Sequence, residues 1–142
     1  MNHNGIIVRE TAISLLINLI LSVVFFVVVF GLNSPVPLDA LAPDFFPQSF
    51  MVALMGSLVP ALLLRRKVGG AARPILLRAL IIALVAVVIA GGSAFLICQA
   101  NGVKLLDPLH ALAIKAVFGG ALAVLTTPFA VRAALRNATE AA

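Results

Sequence analysis

The chain has 142 residues, of which 63% are hydrophobic and only 11% are charged, and its mean hydropathy is +1.19. A soluble domain needs about 25% charged residues, so this composition excludes an ordinary soluble fold and predicts a protein solvated by lipid. The net charge of +5 could suit nucleic acid, but basic residues beside apolar segments are more typical of membrane topology and anionic lipid. We therefore expect the lipid bilayer, and not nucleic acid, as a partner.

Four segments are long and apolar enough to cross a bilayer, whose core of roughly 30 Å needs about 20 helical residues. Their predicted bounds are residues 11–32, 45–64, 75–98 and 109–131. The third has only Arg78 as a charge, near its start, and the fourth carries His110 and Lys115 near its start. The sequence predicts an all-α polytopic membrane protein with a single membrane domain over residues 1–142.

Two parts of the chain repeat one pattern in the same register. The pattern Asn-x4-Leu-Asp-x-Leu-x8-Phe-x2-Ala-Leu-x5-Pro starts at Asn33 and again at Asn101. Its Asn, Asp, Phe and Pro matches carry the weight, because a chain rich in Ala, Leu and Val rarely supplies them. The internal repeats, residues 7–67 and 75–135, predict two tandem helical hairpins of parallel orientation, related by a pseudo-twofold axis along the membrane normal.

With this Asn, Phe and Pro pattern, each half resembles a family of small bacterial two-span membrane hairpin proteins known only as a domain of unknown function. The resemblance covers about residues 12–67, with a second copy at residues 80–135. The family's Trp before the proline, and its second proline a turn or two later, are absent here. The resemblance implies no activity.

Lysine and arginine collect on one side of the predicted spans, and this bias sets orientation in a membrane. Eight of the ten basic residues lie near the chain ends or in the linker between the second and third spans. The two turns on the other side hold three of the five acidic residues. We therefore expect a multi-pass protein of the bacterial cytoplasmic (inner) membrane with its N- and C-termini cytoplasmic.

The polar residues of the repeat fall at the two outer turns, where helices end and begin. Asn33 and Asn101 follow the outward-going helices, and Asn tolerates the left-handed conformation that is common just past a helix C-terminus. Asp39 and Asp107 precede the returning helices, and Asp107 is followed by proline, as at a helix N-terminus. We predict that all four residues are helix caps.

The alternative for the outer turns is a group of carboxylates that gathers cations at the mouth of a pathway. Asp44 and His110 would assist Asp39 and Asp107 in that role. Capping explains both the position and the type of these residues, so we favour it. The turns offer too few acidic or imidazole ligands for zinc or calcium, and we expect no metal site and no cofactor.

Two prolines at repeat-related positions lie inside spans. Pro60 and Pro128 each free the carbonyl four residues earlier from its helical hydrogen bond. The hydroxyls of Ser57, Thr126 and Thr127 are close enough in sequence to satisfy those carbonyls. The pair predicts either fixed packing kinks or gating hinges.

Small and polar residues at helical spacing mark one face of the first span, and small residues mark the matching face of the third. Such faces let helices approach closely, so they predict the inner side of the bundle. The residues are Thr11, Ser14, Asn18 and Ser22 in the first span, and Ala79, Ala83, Ala86 and Ala90 in the third.

Two polar residues break the repeat within predicted spans. Asn18 lies at depth in the first span and either lines a cavity or hydrogen-bonds to a neighbouring helix. Lys115 is a charge inside the fourth span, and its repeat partner is Pro47. It either extends to the membrane interface or serves as a substrate or counter-ion group in a pathway.

The sequence contains no Ser/His/Asp set, Cys/His pair, phosphate-binding loop or carboxylate dyad, so we expect no enzymatic activity. The favoured function is a small integral membrane protein that acts by helix packing, as a self-assembling or accessory subunit. Its partners would be further copies of the chain or a larger membrane complex. The alternative is an oligomeric transporter or channel subunit for a small solute or ion, in which Asn18, Lys115 and the two proline kinks line the pathway.

Overall fold

The computed structural model describes residues 3–68 and 72–140. The linker residues 69–71 and the two chain ends, which the prediction of a single domain includes, lie outside the described residues. The helices are α1 (His3–Val29), α2 (Leu38–Val68), α3 (Ala72–Ala86), α4 (Gly92–Ala100) and α5 (Pro108–Glu140), and the strands are β1 (Val36–Pro37) and β2 (Leu105–Leu106). The predicted helical class is confirmed, and the two short strands are an addition to it.

Within the described residues, four helical stretches are long and apolar enough to cross a membrane, which confirms the predicted number. We call them the first to fourth spans, and they cover Asn4–Val29, Leu38–Leu63, Arg73–Ala100 and Pro108–Arg136. The third span joins α3 to α4 through a π-helical turn at Val87–Gly91. Such turns insert one extra residue into a helix without ending it.

The second span begins at Leu38 rather than at residue 45, because prolines do not end the helix here. Pro43 and Pro47 both lie inside α2, and their rings are exposed. Pro43 falls in the second turn of the helix, where the carbonyl that it frees, at the exposed Asp39, can be hydrated.

The first outer turn corrects the prediction for Asn33. The left-handed residue after α1 is Gly31, with φ of +71°, and its N–H donates to the Val27 carbonyl at 3.1 Å. Glycine adopts this conformation without a steric penalty, so the helix ends before it reaches the asparagine. Asn33 lies in an exposed bend beyond the helix and does not cap it.

The second outer turn keeps asparagine at the helix end, in a different conformation from the expected one. Asn101 is right-handed (φ −74°), and its side-chain amide donates to the Ile97 carbonyl at 3.0 Å. The left-handed residue is the next one, Gly102, with φ of +64°. Asn101 therefore caps the last turn through its side chain.

The two repeat-related aspartates also differ, because one caps its helix and the other does not. Asp107 accepts a hydrogen bond from the Leu109 N–H at 3.1 Å, which is the geometry of a helix N-cap. Asp39 already lies inside α2, where its carboxylate accepts only the N–H of the next residue, at 2.9 Å, among the bonds described. The first N–H of that helix, at Leu38, donates to the Lys104 carbonyl at 3.0 Å, so the other outer turn occupies the expected capping position.

Helices that are consecutive in sequence are not always the main neighbours in space. The first span packs along the fourth, the second lies between the fourth and the third, and the first and second touch little. The beginning of α1 also meets the later part of α5, because Ile6 and Ile7 pack against Val131 and Leu135. The first span therefore depends mainly on the even-numbered span of the other repeat.

The outer turns are joined by an antiparallel pair of strands. Val36 pairs with Leu106, and Pro37 pairs with Leu105. Each repeat supplies one strand, so the pair ties the two repeats together on the side away from the termini.

The core lies where the second span meets its neighbours. Ring contacts such as that of Phe45 with Phe118, whose centroids are 4.8 Å apart, fill its outer part. Small residues fill its middle, and the predicted inner faces are buried, which confirms the prediction from spacing. The buried members are Ser14, Asn18, Ser22, Ala79, Ala83 and Ala86.

Candidate functional site

Lys115 lies in the interior of the bundle, paired with a carboxylate from another helix. It is two turns into α5, about 10 Å from the start of that helix, and only 1% of its side chain is exposed. Its ammonium forms an ion pair with Asp44 of α2. Burial and a partner inside the bundle favour a counter-ion or pathway role for Lys115 over extension to the membrane interface.

The first span covers this ion pair with aromatic rings. The Lys115 Nζ lies 5.8 Å from the ring centroid of Phe25 and 5.5 Å from that of Phe30. These distances are within the range of cation–π attraction. The charge of the ammonium is thus balanced by Asp44 and screened by two rings, and the pair as a whole carries no net charge.

Gln48 continues the polar contacts one turn further along α2. Its Nε2 donates to the Lys115 carbonyl at 2.9 Å and to the Ser22 Oγ at 3.2 Å, so one side chain joins three spans. A Cβ at Gly119 would lie 2.7 Å from the Ser22 Oγ and 3.0 Å from the Gln48 Nε2. Only glycine at this position leaves room for the three-helix contact.

Asn18 and Ser14 extend the polar contacts towards the end of the bundle that holds the start of α1. The Asn18 Nδ2 donates to the Ser14 carbonyl at 2.8 Å, and the Thr127 Oγ1 donates to the Ser14 Oγ at 2.9 Å. We call this buried and half-buried set, together with the ion pair at its outer end, the polar seam. It consists of Ser14, Asn18, Ser22, Asp44, Gln48, Lys115 and Thr127, and it lies between the first, second and fourth spans.

The helices continue through Pro60 and Pro128, but the nearby hydroxyls do not serve the carbonyls that these prolines free. Ser57 and Thr126 each donate to the carbonyl four residues earlier in their own helix, at 2.6 and 2.9 Å. Thr127 donates to the first span instead. Since a hydroxyl has one hydrogen, the prediction that these residues satisfy the freed carbonyls of Gly56 and Val124 is wrong. Whether the prolines act as hinges stays a prediction.

A cavity of about 370 Å³ opens beside the polar seam, between the first and second spans. Its back is formed by the polar residues Asn18, Ser22, Gln48 and Lys115, and its walls by Leu21, Phe25, Pro47, Met51, Val52 and Met55. Several wall residues, among them Phe25 and Met51, are also exposed on the outside of the bundle. We call this cavity the lateral cleft, because it opens towards the surrounding medium at the side of the bundle.

The site occurs once, although the sequence pattern occurs twice. The repeat-related positions of its polar members are apolar. Asn18, Ser22, Asp44, Gln48 and Lys115 correspond to Ala86, Ala90, Leu112, Ala116 and Pro47, respectively. The polar seam is therefore a departure from the repeat.

Sequence reasoning missed the ion-pair partner of Lys115 and the role of Gln48. It grouped Asp44 with the outer-turn carboxylates, whereas the structure turns Asp44 inward. The available signal was the spacing of Asp44 and Gln48 by four residues, which places both on one face of a helix. The exposed Asp107 and His110 lie 3.3 Å apart in the outer turn. Among the described residues, no group of three His, Cys, Asp or Glu could hold a metal ion.

The resemblance of each half to two-span bacterial membrane proteins stays a prediction. No known protein family, no curated protein and no solved structure matches this chain.

Proposed function

We propose that the protein is a non-enzymatic, four-span protein of the bacterial inner membrane that binds a small solute at the lateral cleft, as a subunit of an oligomeric transporter or channel. The observation that carries this proposal is the buried Lys115–Asp44 pair. Charges within membrane spans are costly and commonly mark solute or ion pathways. A bundle that acted by packing alone would gain little from the pair, since well-packed apolar residues are often as stable or more so.

The single copy of the site also supports solute binding over action by packing alone, which the sequence favoured. The third span packs on the second with alanines at the positions that correspond to Asn18 and Ser22. Small apolar residues therefore suffice for helix contact in this fold. The polar residues on the other side of the bundle need a different reason, and a bound solute supplies one.

We further propose that the two repeats are parallel units related by a pseudo-twofold axis along the membrane normal, with both termini cytoplasmic. The basic residues of the linker and chain ends support this orientation. The crossed packing of odd-numbered on even-numbered spans supports the relation between the units.

Flux into vesicles tests the solute-binding proposal. The purified protein in liposomes is assayed for protons with a trapped pH dye, and for potassium, sodium and glycerol by light scattering. The double variant Lys115→Leu/Asp44→Leu removes both charges together, and it should insert and assemble normally but lose flux. The control Lys104→Leu removes an exposed lysine of the outer turn and should keep flux. Undiminished flux in the double variant would contradict the proposal and favour action by packing.

Cysteine labelling tests the orientation. In a Cys98→Ser background, the variants Ser34→Cys and Asn101→Cys should react with a membrane-impermeant maleimide from outside the cell. The variant Val68→Cys should react only after the membrane is permeabilised. External labelling of residue 68 would overturn the proposed topology.

A further inference from the structure

We infer that the ligand of the lateral cleft is a lipophilic molecule whose uncharged head group donates a hydrogen bond, such as a long-chain alcohol, phenol or amide, and that it enters sideways from the bilayer. The inference rests on the proposed function and names the chemical class of its ligand. Three features of the cleft carry it: the position of its opening, the balance of charge at its back, and an unused acceptor.

The opening faces the side of the bundle. The first and second spans touch little, and the cleft separates them at the depth of Asn18 and Gln48. Leu21, Met51 and Met55 line the cleft and are at the same time exposed on the outer surface of the spans. In a bilayer those surfaces face acyl chains, so a molecule dissolved in the membrane reaches the cleft directly. Unbranched methionines adapt to guests of different shape.

The charges at the back of the cleft are already balanced. Lys115 and Asp44 pair with each other, and two Phe rings cover the ammonium. A carboxylate or ammonium head group would lose its hydration on entering the cleft. Because Lys115 and Asp44 already neutralise each other, neither is available as its counter-ion, and binding of a charged head group is unfavourable in a site of low polarity. The arrangement therefore selects an uncharged head group.

The hydrogen-bond capacity at the back of the cleft is not fully used. Both contacts of the Gln48 amide nitrogen go to oxygens, and one is the Lys115 carbonyl, which can only accept, so the orientation of the amide is fixed. The Gln48 Oε1 is buried, and no donor among the described residues reaches it. A buried acceptor without a partner is costly. Gln48 also lines the cleft, so a small movement of its side chain would bring this oxygen within reach of a ligand hydroxyl or N–H.

The size of the cleft suits one chain rather than two. Its volume of about 370 Å³ lies near the lower end of the range for small-molecule sites. A single-chain lipophile fits this space better than a two-chain phospholipid, so the cleft discriminates against the bulk lipid around it.

A single introduced tryptophan tests the inference, because the chain contains no Trp and no Tyr. The full-length Val59→Trp protein in phosphatidylcholine vesicles is titrated with ω-bromoundecanol, its methyl ether and ω-bromoundecanoate, whose bromine quenches tryptophan fluorescence. Val59 is exposed and lies one helical turn beyond Met55, beside the cleft but not in its wall. The control is Val88→Trp, at an exposed position on the third span, away from the cleft. We expect saturable quenching by the alcohol in the Val59→Trp protein only.

The donor hydrogen is tested by comparing the alcohol with its ether, which can accept a hydrogen bond but not donate one. The alcohol should bind about tenfold more tightly than the ether, as expected for one net hydrogen bond. Adding Gln48→Met to Val59→Trp should remove that preference, and adding Gln99→Met, at an exposed position, should leave it unchanged. The comparison of ligands in the Val59→Trp protein stands even if the Gln48 variant fails to fold.

The possible failures separate this inference from the proposed function. Equal or tighter binding of the carboxylate would overturn the uncharged head group while leaving a solute site in place. Equal, non-saturable quenching of both tryptophan variants would mean partition into bulk lipid and would overturn the inference. Vesicle flux that depends on Lys115 and Asp44, without saturable binding of any of the three probes, would support the proposed function and overturn lateral entry of a lipophile.

Discussion

Pro37 pairs with Leu105 in the antiparallel strands of the outer turns, and these two positions correspond to each other in the internal repeat. A twofold axis that exchanges the repeats would carry this pair onto itself. In the repeat, Val36 corresponds to Lys104 and Leu106 corresponds to Leu38. The axis would therefore carry the pair of Val36 with Leu106 onto the contact in which the Leu38 N–H donates to the Lys104 carbonyl. The register of the strands is thus the one that two equivalent units would form.

Separate halves of the chain should therefore assemble. The first span packs on the fourth and the second on the fourth, so many of the helix contacts lie between the repeats. Chains of residues 1–70 and 71–142, coexpressed with a tag on one of them, should copurify from membranes as a complex with one copy of each. The control adds Gly119→Leu, which fills the contact of the first, second and fourth spans and should weaken copurification. Halves that insert stably but purify apart would contradict the crossed packing.

Breaking the buried ion pair should cost more than removing it. Lys115→Met or Asp44→Leu alone leaves one buried charge without its partner, and such changes typically cost about 3 to 5 kcal/mol. The double variant Lys115→Met/Asp44→Leu should be more stable than the Lys115→Met protein. Reversible unfolding in mixed detergent micelles measures the free energy of unfolding of each protein.

The matched controls for the ion pair are the exposed groups of the outer turns. Lys104→Met and Asp39→Asn should change the free energy of unfolding by less than about 1 kcal/mol, as is usual for exposed charges. Additive effects of the two ion-pair substitutions would show that Lys115 and Asp44 are not coupled, contrary to the structure.

Two helical glycines should respond in opposite ways to a methyl group. In Gly119→Ala the new Cβ would lie 2.7 Å from the Ser22 Oγ and 3.0 Å from the Gln48 Nε2, so these two side chains must shift and their hydrogen bond is disturbed. We expect a loss of about 1 to 3 kcal/mol, as for other overpacked sites. Gly92→Ala meets no atom within 4 Å, and it should be neutral or stabilising by up to about 1 kcal/mol through helix propensity. Thermal unfolding in detergent distinguishes the two, and equal melting temperatures would contradict the close contact at Gly119.

The repeat-related aspartates should also differ. Asp107→Ala removes the side chain that accepts the Leu109 N–H, and it should cost about 1 kcal/mol, the usual value for an N-cap. Asp39→Ala should cost much less, because the first N–H of that helix already donates to the Lys104 carbonyl. Chemical unfolding of the two variants side by side measures the difference. A larger loss for Asp39→Ala than for Asp107→Ala would contradict the assignment of the N-cap to Asp107.

The sequence predicted the features that depend on local composition and spacing. The number of the spans follows from runs of apolar residues, and the inner face of the first span follows from Ser14, Asn18 and Ser22 at helical spacing. Asp107 was predicted correctly as a cap because the following proline fixes the start of the helix. Asn33 was not, because Gly31, just before it in the chain, ends the helix first.

The features that were missed depend on which spans pack together. Asp44 and Lys115 belong to different repeats and are far apart in the sequence, and they meet only because the second span packs on the fourth. A reading of each span by itself leaves Lys115 without a partner and directs it towards the interface. The strand pair and the contact between Gln48 and Ser22 are likewise non-local, so the sequence predicted neither of them.

The beginning of α1 contacts the end of α5, so the first and fourth spans are neighbours in space although they are farthest apart in the sequence. Ile6 and Ile7 pack on Val131 and Leu135, so the first turns of α1 lie beside the later turns of α5. A linker between these two helices would let the chain start between the second and third spans and run through the third, fourth, first and second spans. Such a circular permutation would keep the interhelical contacts of the described residues, so the packing itself does not require the present order of the two halves.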